Sequence, residues 1–429
     1  MSKGGGVDKD DGNDVDCNDR QVCSTWNQFI KDNVWGSAAG RSSLNRRLVN
    51  RWRNMEGKTT MVGMLRTEQV WGFYTNDTHV FCGIHRRASV AVYSLEDGTW
   101  IRDLNPILGE LHVTSQHSLG INVTGGNGLV AAVSCERVAT LWSSKKEMDQ
   151  LFYFDVLKYG TSLSIKDMKV ASGSKVVILA GSIPEVSDEK ILVVVTLEKD
   201  GDGKWNTETL SQFLDPSNGQ VLASEANWVA LALALDSKEE LESNKRLLIW
   251  RWDEKQRKDI ILPGCLGLRV KSMVLKPPFV ILGLVASTYS MSGGPEAAIN
   301  VYKLEPQVRD TGDLIKTIPF QTLHSAAYSY SHPLKLTPDM NFSSNSHFIV
   351  LVQPSRDDNN IVHIFDQKDL LDGDISGKET WTRKLDLPSH QLESSKNFDI
   401  NSTSLVYVNR IQLFKRDFWV GSSNEEQKI

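Results

Sequence analysis

Val80-Phe81-Cys82 and Val90-Ala91-Val92-Tyr93 are apolar almost throughout, stand close together between turn residues, and end on a large ring. A strand with one face in water alternates apolar and polar side chains, so an unbroken apolar run needs cover on both faces. These runs are too short and too rich in β-branched residues to be buried helices. The same pair recurs along the chain. Its closing members are Ala139-Thr140-Leu141-Trp142, Leu192-Val193-Val194-Val195, Leu247-Leu248-Ile249-Trp250, Ile299-Asn300-Val301-Tyr302, Val362-His363-Ile364-Phe365 and Arg410-Ile411-Gln412-Leu413-Phe414. Each has an apolar run upstream, such as Leu129-Val130-Ala131-Ala132-Val133 or Val280-Ile281-Leu282-Gly283-Leu284.

The seven anchors Tyr93, Trp142, Val195, Trp250, Tyr302, Phe365 and Phe414 recur at intervals of about 50–60 residues, and only Val195 is not aromatic. Small antiparallel sheets stacked face to face around an axis cover both faces of their inner strands, and closing the ring gives every sheet two neighbours. The expected fold is therefore all-β, a seven-bladed β-propeller over residues 58–420. Six blades are expected at about 70–104, 115–156, 163–213, 221–262, 270–320 and 334–387. The seventh, about 398–420, is short of an outer strand. Thr59–Leu65 is expected to supply it, pairing the start of the repeat region with its end.

Composition agrees with a large core and narrows the function classes. Of 429 residues, 40% are hydrophobic, and the net charge of -5 argues against nucleic acid as the main partner. The five cysteines form no C-x-x-C pair, which suits free thiols in a reducing compartment, the cytoplasm or nucleus. No apolar run reaches membrane-spanning length. Residues 1–19 are rich in Gly and Asp without apolar periodicity and are expected to form a disordered acidic leader. Residues 421–429 read as a polar tail.

From Arg20 the pattern changes to helical spacing, with Val22, Cys23, Trp26, Phe29, Ile30 and Trp35 on one face. The pattern Val22-Cys23-x-x-Trp26-Asn27-x-x-Ile30, closing on Trp35, resembles the second half of an F-box. Asn50-Arg51-Trp52-Arg53, ahead of Gly57, resembles the linker between an F-box and a WD-repeat propeller. Residues 20–57 thus resemble a partial F-box helix and linker, and the chain resembles the F-box/WD-repeat proteins. The Leu-Pro start and first apolar helix of that module have no counterpart, the acidic leader standing in their place. A plain amphipathic helix packed beneath the propeller is the alternative reading. The WD likeness is loose as well, since a Trp-Asp ending occurs only at Trp252-Asp253, offset from the Trp250 anchor.

The resemblance implies a substrate receptor of an SCF-type cullin–RING ubiquitin ligase. In it Val22, Cys23, Trp26, Ile30 and Trp35 would hold the ligase adaptor and the propeller would hold a target protein. A scaffold that has lost ligase docking is the alternative. No catalytic role is expected: there is no H-E-x-x-H zinc motif, no G-x-S-x-G elbow and no kinase signature. Gly57-Lys58-Thr59 is no phosphate loop, because the required earlier glycine falls at Trp52. No cofactor or metal is expected, and no nucleic-acid or membrane partner. His85-Arg86-Arg87, in a hairpin of the first blade, is the most conspicuous polar cluster; it suits an acidic or phosphorylated peptide, or is simply a charged hairpin tip. Long connections between inner strands at 183–190, 236–245, 286–297 and 354–360 enlarge one rim of the ring, as binding loops or as neutral insertions.

Overall fold

A computed structural model describes residues 59–66, 70–84, 89–107, 121–134, 136–145, 147–158, 163–171, 175–182, 192–211, 221–233, 245–251, 256–265, 268–286, 297–306, 308–320, 341–344, 348–353, 359–371, 382–388, 398–401, 404–409 and 411–417. They all belong to one compact unit, Gly57–Asp417; the second unit, Met1–Glu56 with Phe418–Ile429, lies outside the described residues. The partial F-box residues Val22, Cys23, Trp26, Ile30 and Trp35 fall there, and His85, Arg86 and Arg87 are likewise outside the described residues.

The chain enters with β1 (Thr59–Met64). Blade 1 follows as β2 (Val70–Thr75), β3 (His79–Ile84), β4 (Ser89–Ser94) and β5 (Trp100–Leu104). Blade 2 is β6 (Ile121–Gly126), β7 (Leu129–Ser134), β8 (Val138–Ser143) and β9 (Gln150–Asp155). Blade 3 is β10 (Leu163–Ala171), β11 (Lys175–Ser182), β12 (Leu192–Lys199) and β13 (Trp205–Ser211). Blade 4 is β14 (Val221–Glu225), β15 (Trp228–Leu233), β16 (Lys245–Arg251) and β17 (Gln256–Leu262). Blade 5 is β18 (Leu268–Lys276), β19 (Phe279–Ala286), β20 (Ala297–Lys303) and β21 (Asp313–Phe320). Blade 6 is β22 (Asn341–Ser344), β23 (Phe348–Gln353), β24 (Asn359–Asp366) and β25 (Thr382–Pro388), with a short helix α1 (Gln367–Leu371) after β24. Blade 7 is β26 (Phe398–Ile400), β27 (Ser404–Asn409) and β28 (Gln412–Asp417), completed by β1.

Each blade is a four-stranded antiparallel sheet in sequence order, and the seventh has the order β1-β28-β27-β26. Neighbouring first strands touch around the circle, β2 with β6, β6 with β10, β10 with β14, and on through β18, β22 and β26 back to β2. The array is a closed seven-bladed β-propeller. Its closure is the one the sequence requires: Thr59 pairs with Arg416, Met61 with Phe414 and Met64 with Gln412, antiparallel. Leu65 adds a last backbone bond to Ile411 beyond the strand.

The continuous apolar runs are explained by where alternate residues go. In β3, Val80, Cys82 and Ile84 join a core with Val406, Val408 and Leu413 of blade 7. Phe81, between them, faces the other way into a core with Val130, Ala132 and Trp142 of blade 2. In β7, Val130 and Ala132 face blade 1 while Leu129, Ala131 and Val133 meet Met168, Val176 and Ile178 of blade 3. The same alternation builds the seams between blades 3 and 4, 4 and 5, and 5 and 6. Burying each such Val, Leu or Phe contributes about 1.5–3 kcal/mol before entropy, so no blade is stable without both neighbours.

Register shows what the anchors do. Tyr93, Trp142, Trp250, Tyr302 and Phe365 each pair with the second residue of the preceding strand, Val80, Val130, Val229, Val280 and Ile349. Each of the five is buried. In blades 3 and 7 that place belongs to Leu197, opposite Val176, and to Arg416, opposite Leu405. Both stand two residues beyond Val195 and Phe414. In these two blades the residue at the register place of the other five anchors therefore lies two steps after the end of the apolar run that marks the strand in the sequence. Phe414 instead stacks on Tyr407, ring centroids 5.2 Å apart.

Candidate functional site: the central channel

The first strand of every blade is an edge strand, its outer neighbour occupying one side and the axis the other. Seven such edges enclose a channel of about 910 Å3, which reaches the turns between first and second strands at Asn76, Asn127, Lys276 and Asn401. Polar side chains of these strands bond backbone amides of the edges, as Asp399 does those of Thr75 and Ile400 and Asp167 that of Met168.

The strongest such arrangement lies where the ring closes. The carboxylate of Asp399, on β26, accepts the Thr75 amide of blade 1 on Oδ2 at 2.9 Å. Its Oδ1 accepts the Ser343 hydroxyl of blade 6 at 2.5 Å and the Ile400 amide at 2.9 Å. One side chain thereby joins blades 6, 7 and 1. Asn401 adds a second strap, its Nδ2 donating to the Asn76 carbonyl at 3.1 Å, while its Oδ1 accepts the Ser404 amide at 2.8 Å. Burial pushes the Asp399 carboxyl up to about 6 against the opposing pull of the Ser343, Thr75 and Ile400 donors. The charge also acts on its neighbour: burial first, then Asp399 and Asp77, raise the Tyr74 phenol. Tyr74 lies across the backbone of blade 2, where a Cβ on Gly125 would overlap its ring. This accounts for one glycine of the Gly125-Gly126-Asn127-Gly128 cluster: Gly125 and Gly126 end β6, and only Asn127 and Gly128 form the turn, both with positive φ.

Among the described residues, three first strands carry a β-bulge at one equivalent place. The register skips Trp71 between Val70 and Gly72, Lys166 between Ile165 and Asp167, and Lys271 between Val270 and Ser272. In each case the strand position opposite the residue before the bulge is the sixth of the second strand: Ile84, Ala180 and Leu284. Bulges re-aim side chains, and Lys166 and Lys271 both line the channel. Sequence reasoning missed every channel residue, because an inner edge that faces water looks like any half-polar strand.

A second polar cluster lies away from the axis. Tyr302 donates its hydroxyl to the Pro263 carbonyl at 2.7 Å, receives Asn300 Nδ2 at 2.9 Å, and lies 2.9 Å from Cys265 Sγ. Burial raises both the thiol and the phenol, so neither is poised as a nucleophile. The cluster ties the end of blade 4 to blade 5. Among the described residues no group of three His, Cys, Asp or Glu side chains could hold a metal ion, and no helix is long and apolar enough to cross a membrane.

The arrangement defines a closed propeller with a polar axial channel. No family model and no curated protein matches the sequence. Solved structures match the backbone. Hsv2 of Kluyveromyces lactis aligns with a TM-score of 0.43 at 12% identity, over 80% of this chain and 90% of that one. The β-propeller domain of Cps50 (Swd1) of Myceliophteria thermophila aligns at 0.47 and 9% identity, over 84% and 99%. A chain of the mitotic checkpoint complex aligns at 0.47 and 10% identity, over 85% and 95%.

Proposed function

We propose that this protein is a non-catalytic recognition module, a substrate receptor of an SCF-type cullin–RING ubiquitin ligase, in which the box residues hold the adaptor and the propeller holds the target. The observation that carries the recognition half is the closed ring itself. Its second and third strands are joined through 183–191, 234–244, 287–296 and 354–358, four long connections leaving the same rim of a rigid scaffold. Rigid frames with variable connecting segments are where binding surfaces are built. The ligase half rests on the resemblance of Val22, Cys23, Trp26, Ile30 and Trp35, and of the Asn50-Arg51-Trp52-Arg53 linker, placed directly ahead of β1. The reading carries with it a cytoplasmic or nuclear location.

The test is a pull-down of full-length protein by purified ligase adaptor, beside a Trp26→Ala/Ile30→Ala variant. Capture of the wild type, lost in the variant while its melting transition is unchanged, supports the reading. A folded wild type that the adaptor does not capture overturns the ligase half and leaves a scaffold that gathers other protein partners. His85, Arg86 and Arg87 enter the same reading as a contact for an acidic or phosphorylated target segment; replacing both arginines with Gln is expected to weaken target binding and not adaptor capture.

A further inference from the structure

The channel wall is divided by charge. Blades 3, 4 and 5 contribute Lys166, Lys169, Lys271 and Lys276 against Asp167 and Glu225, whereas blades 7 and 1 contribute Asp399 and Asp77. Two of the lysines are matched: Lys169 lies 3.4 Å from Asp167, and Lys276 lies 3.5 Å from Glu225. Lys166 and Lys271 form no ion pair or hydrogen bond among the described residues. They are also the two bulge residues of blades 3 and 5, and blade 1 shows that the bulge does not itself require lysine, since Trp71 stands there. A bulge that merely tightened the sheet would leave its residue type open. Two lysines at equivalent bulges, both lining the channel and left without carboxylates among the described residues, make a site for negative charge.

We propose that the channel binds a small molecule carrying two or more phosphate groups, held by Lys166 and Lys271. The volume of about 910 Å3 is that of a small-ligand cavity. The opposite wall decides between a compact ligand and a polymer. Asp77 and Asp399 place negative charge on the opposite wall, which repels any uniformly anionic chain threaded along the axis but not a compact ligand held on the lysine side. An acidic peptide or a nucleic-acid strand therefore fits worse than a phosphorylated small molecule. The site opens among the turns between first and second strands, the rim opposite the long connections assigned above to protein recognition, and does not depend on that assignment.

Calorimetric titration of the full-length protein at low ionic strength tests this, with tripolyphosphate as the bare anion and a hexose bisphosphate as the hydroxyl-bearing one. At least one is expected to bind, and Lys166→Gln and Lys271→Gln are each expected to weaken it about tenfold. Lys199→Gln, at the end of β12 and not among the residues lining the channel, is expected to leave binding unchanged. A tighter hexose bisphosphate identifies a phosphorylated polyol; a tighter tripolyphosphate identifies a free polyphosphate. Both lysines lie on a channel edge, so their variants should keep the wild-type circular dichroism and melting curve. Absence of binding by both probes overturns the proposal. So does an equal loss in Lys199→Gln, which marks diffuse attraction, or binding confined to an acidic peptide.

Discussion

Replacing Asp399 with Asn and measuring urea unfolding of both proteins at pH 7 and pH 5 isolates the carboxylate that joins blades 6, 7 and 1. Its folded-state value of about 6 stands above the ordinary 3.8 because burial outweighs the three donors it accepts. The folded protein therefore holds a proton that the unfolded chain releases between roughly pH 4 and pH 6. In that window the folded state binds more protons, so stability rises as pH falls and the contribution is absent once pH exceeds the folded value. Integrating from pH 7 to pH 5 gives the wild type about 1 kcal/mol that an uncharged Asn cannot acquire. Acidification also weakens the stabilising exposed carboxylates Asp97, Asp200 and Glu305, whose values are lowered by hydrogen bonds and, for Glu305, Lys303. They are common to both proteins and cancel in the difference. The expected result is a wild-type-minus-variant stability that grows by about 1 kcal/mol on going to pH 5. A difference that stays constant, or shrinks, refutes the assignment of a buried, proton-holding carboxyl at the ring closure.

Deleting residues 57–66 removes β1 and exposes the β28 edge and the blade 7–blade 1 core around Leu65; limited proteolysis should then cut the last blade rapidly, and an unchanged melting transition would contradict the closure. Gly125→Ala drives a methyl into the Tyr74 ring and is expected to cost about 1–3 kcal/mol in chemical denaturation, with Tyr74→Ala recovering part of it in a double-mutant cycle. Tyr302→Phe strips the hydroxyl shared by Pro263, Asn300 and Cys265 and is expected to cost about 1–3 kcal/mol, with no gain in thiol reactivity unless the blade 4–blade 5 joint opens.

Blade number and closure were legible in the sequence because burial on both faces leaves a signal in every residue of a strand, as Val80-Phe81-Cys82 shows by sending alternate side chains into two different cores. The need for Thr59–Leu65 was legible for a related reason: six blades had four strands and the last had three. Exact anchor positions were less so. Leu197 carries no aromatic mark, and Phe414 carries one at a step where the structure places Arg416 two residues on.

The sequence by itself determined a ring of seven sheets, since hydrophobic hairpins repeated at that spacing have no cover except each other. Only the tertiary structure decided what lines the axis. Asp399, Ser343 and Thr75 are up to 324 positions apart in the chain, and Lys166 and Lys271 belong to different blades. Burial pattern is a local property that neighbouring residues record. The meeting of single polar side chains across a closed ring depends on strand register and bulges, which no local periodicity encodes.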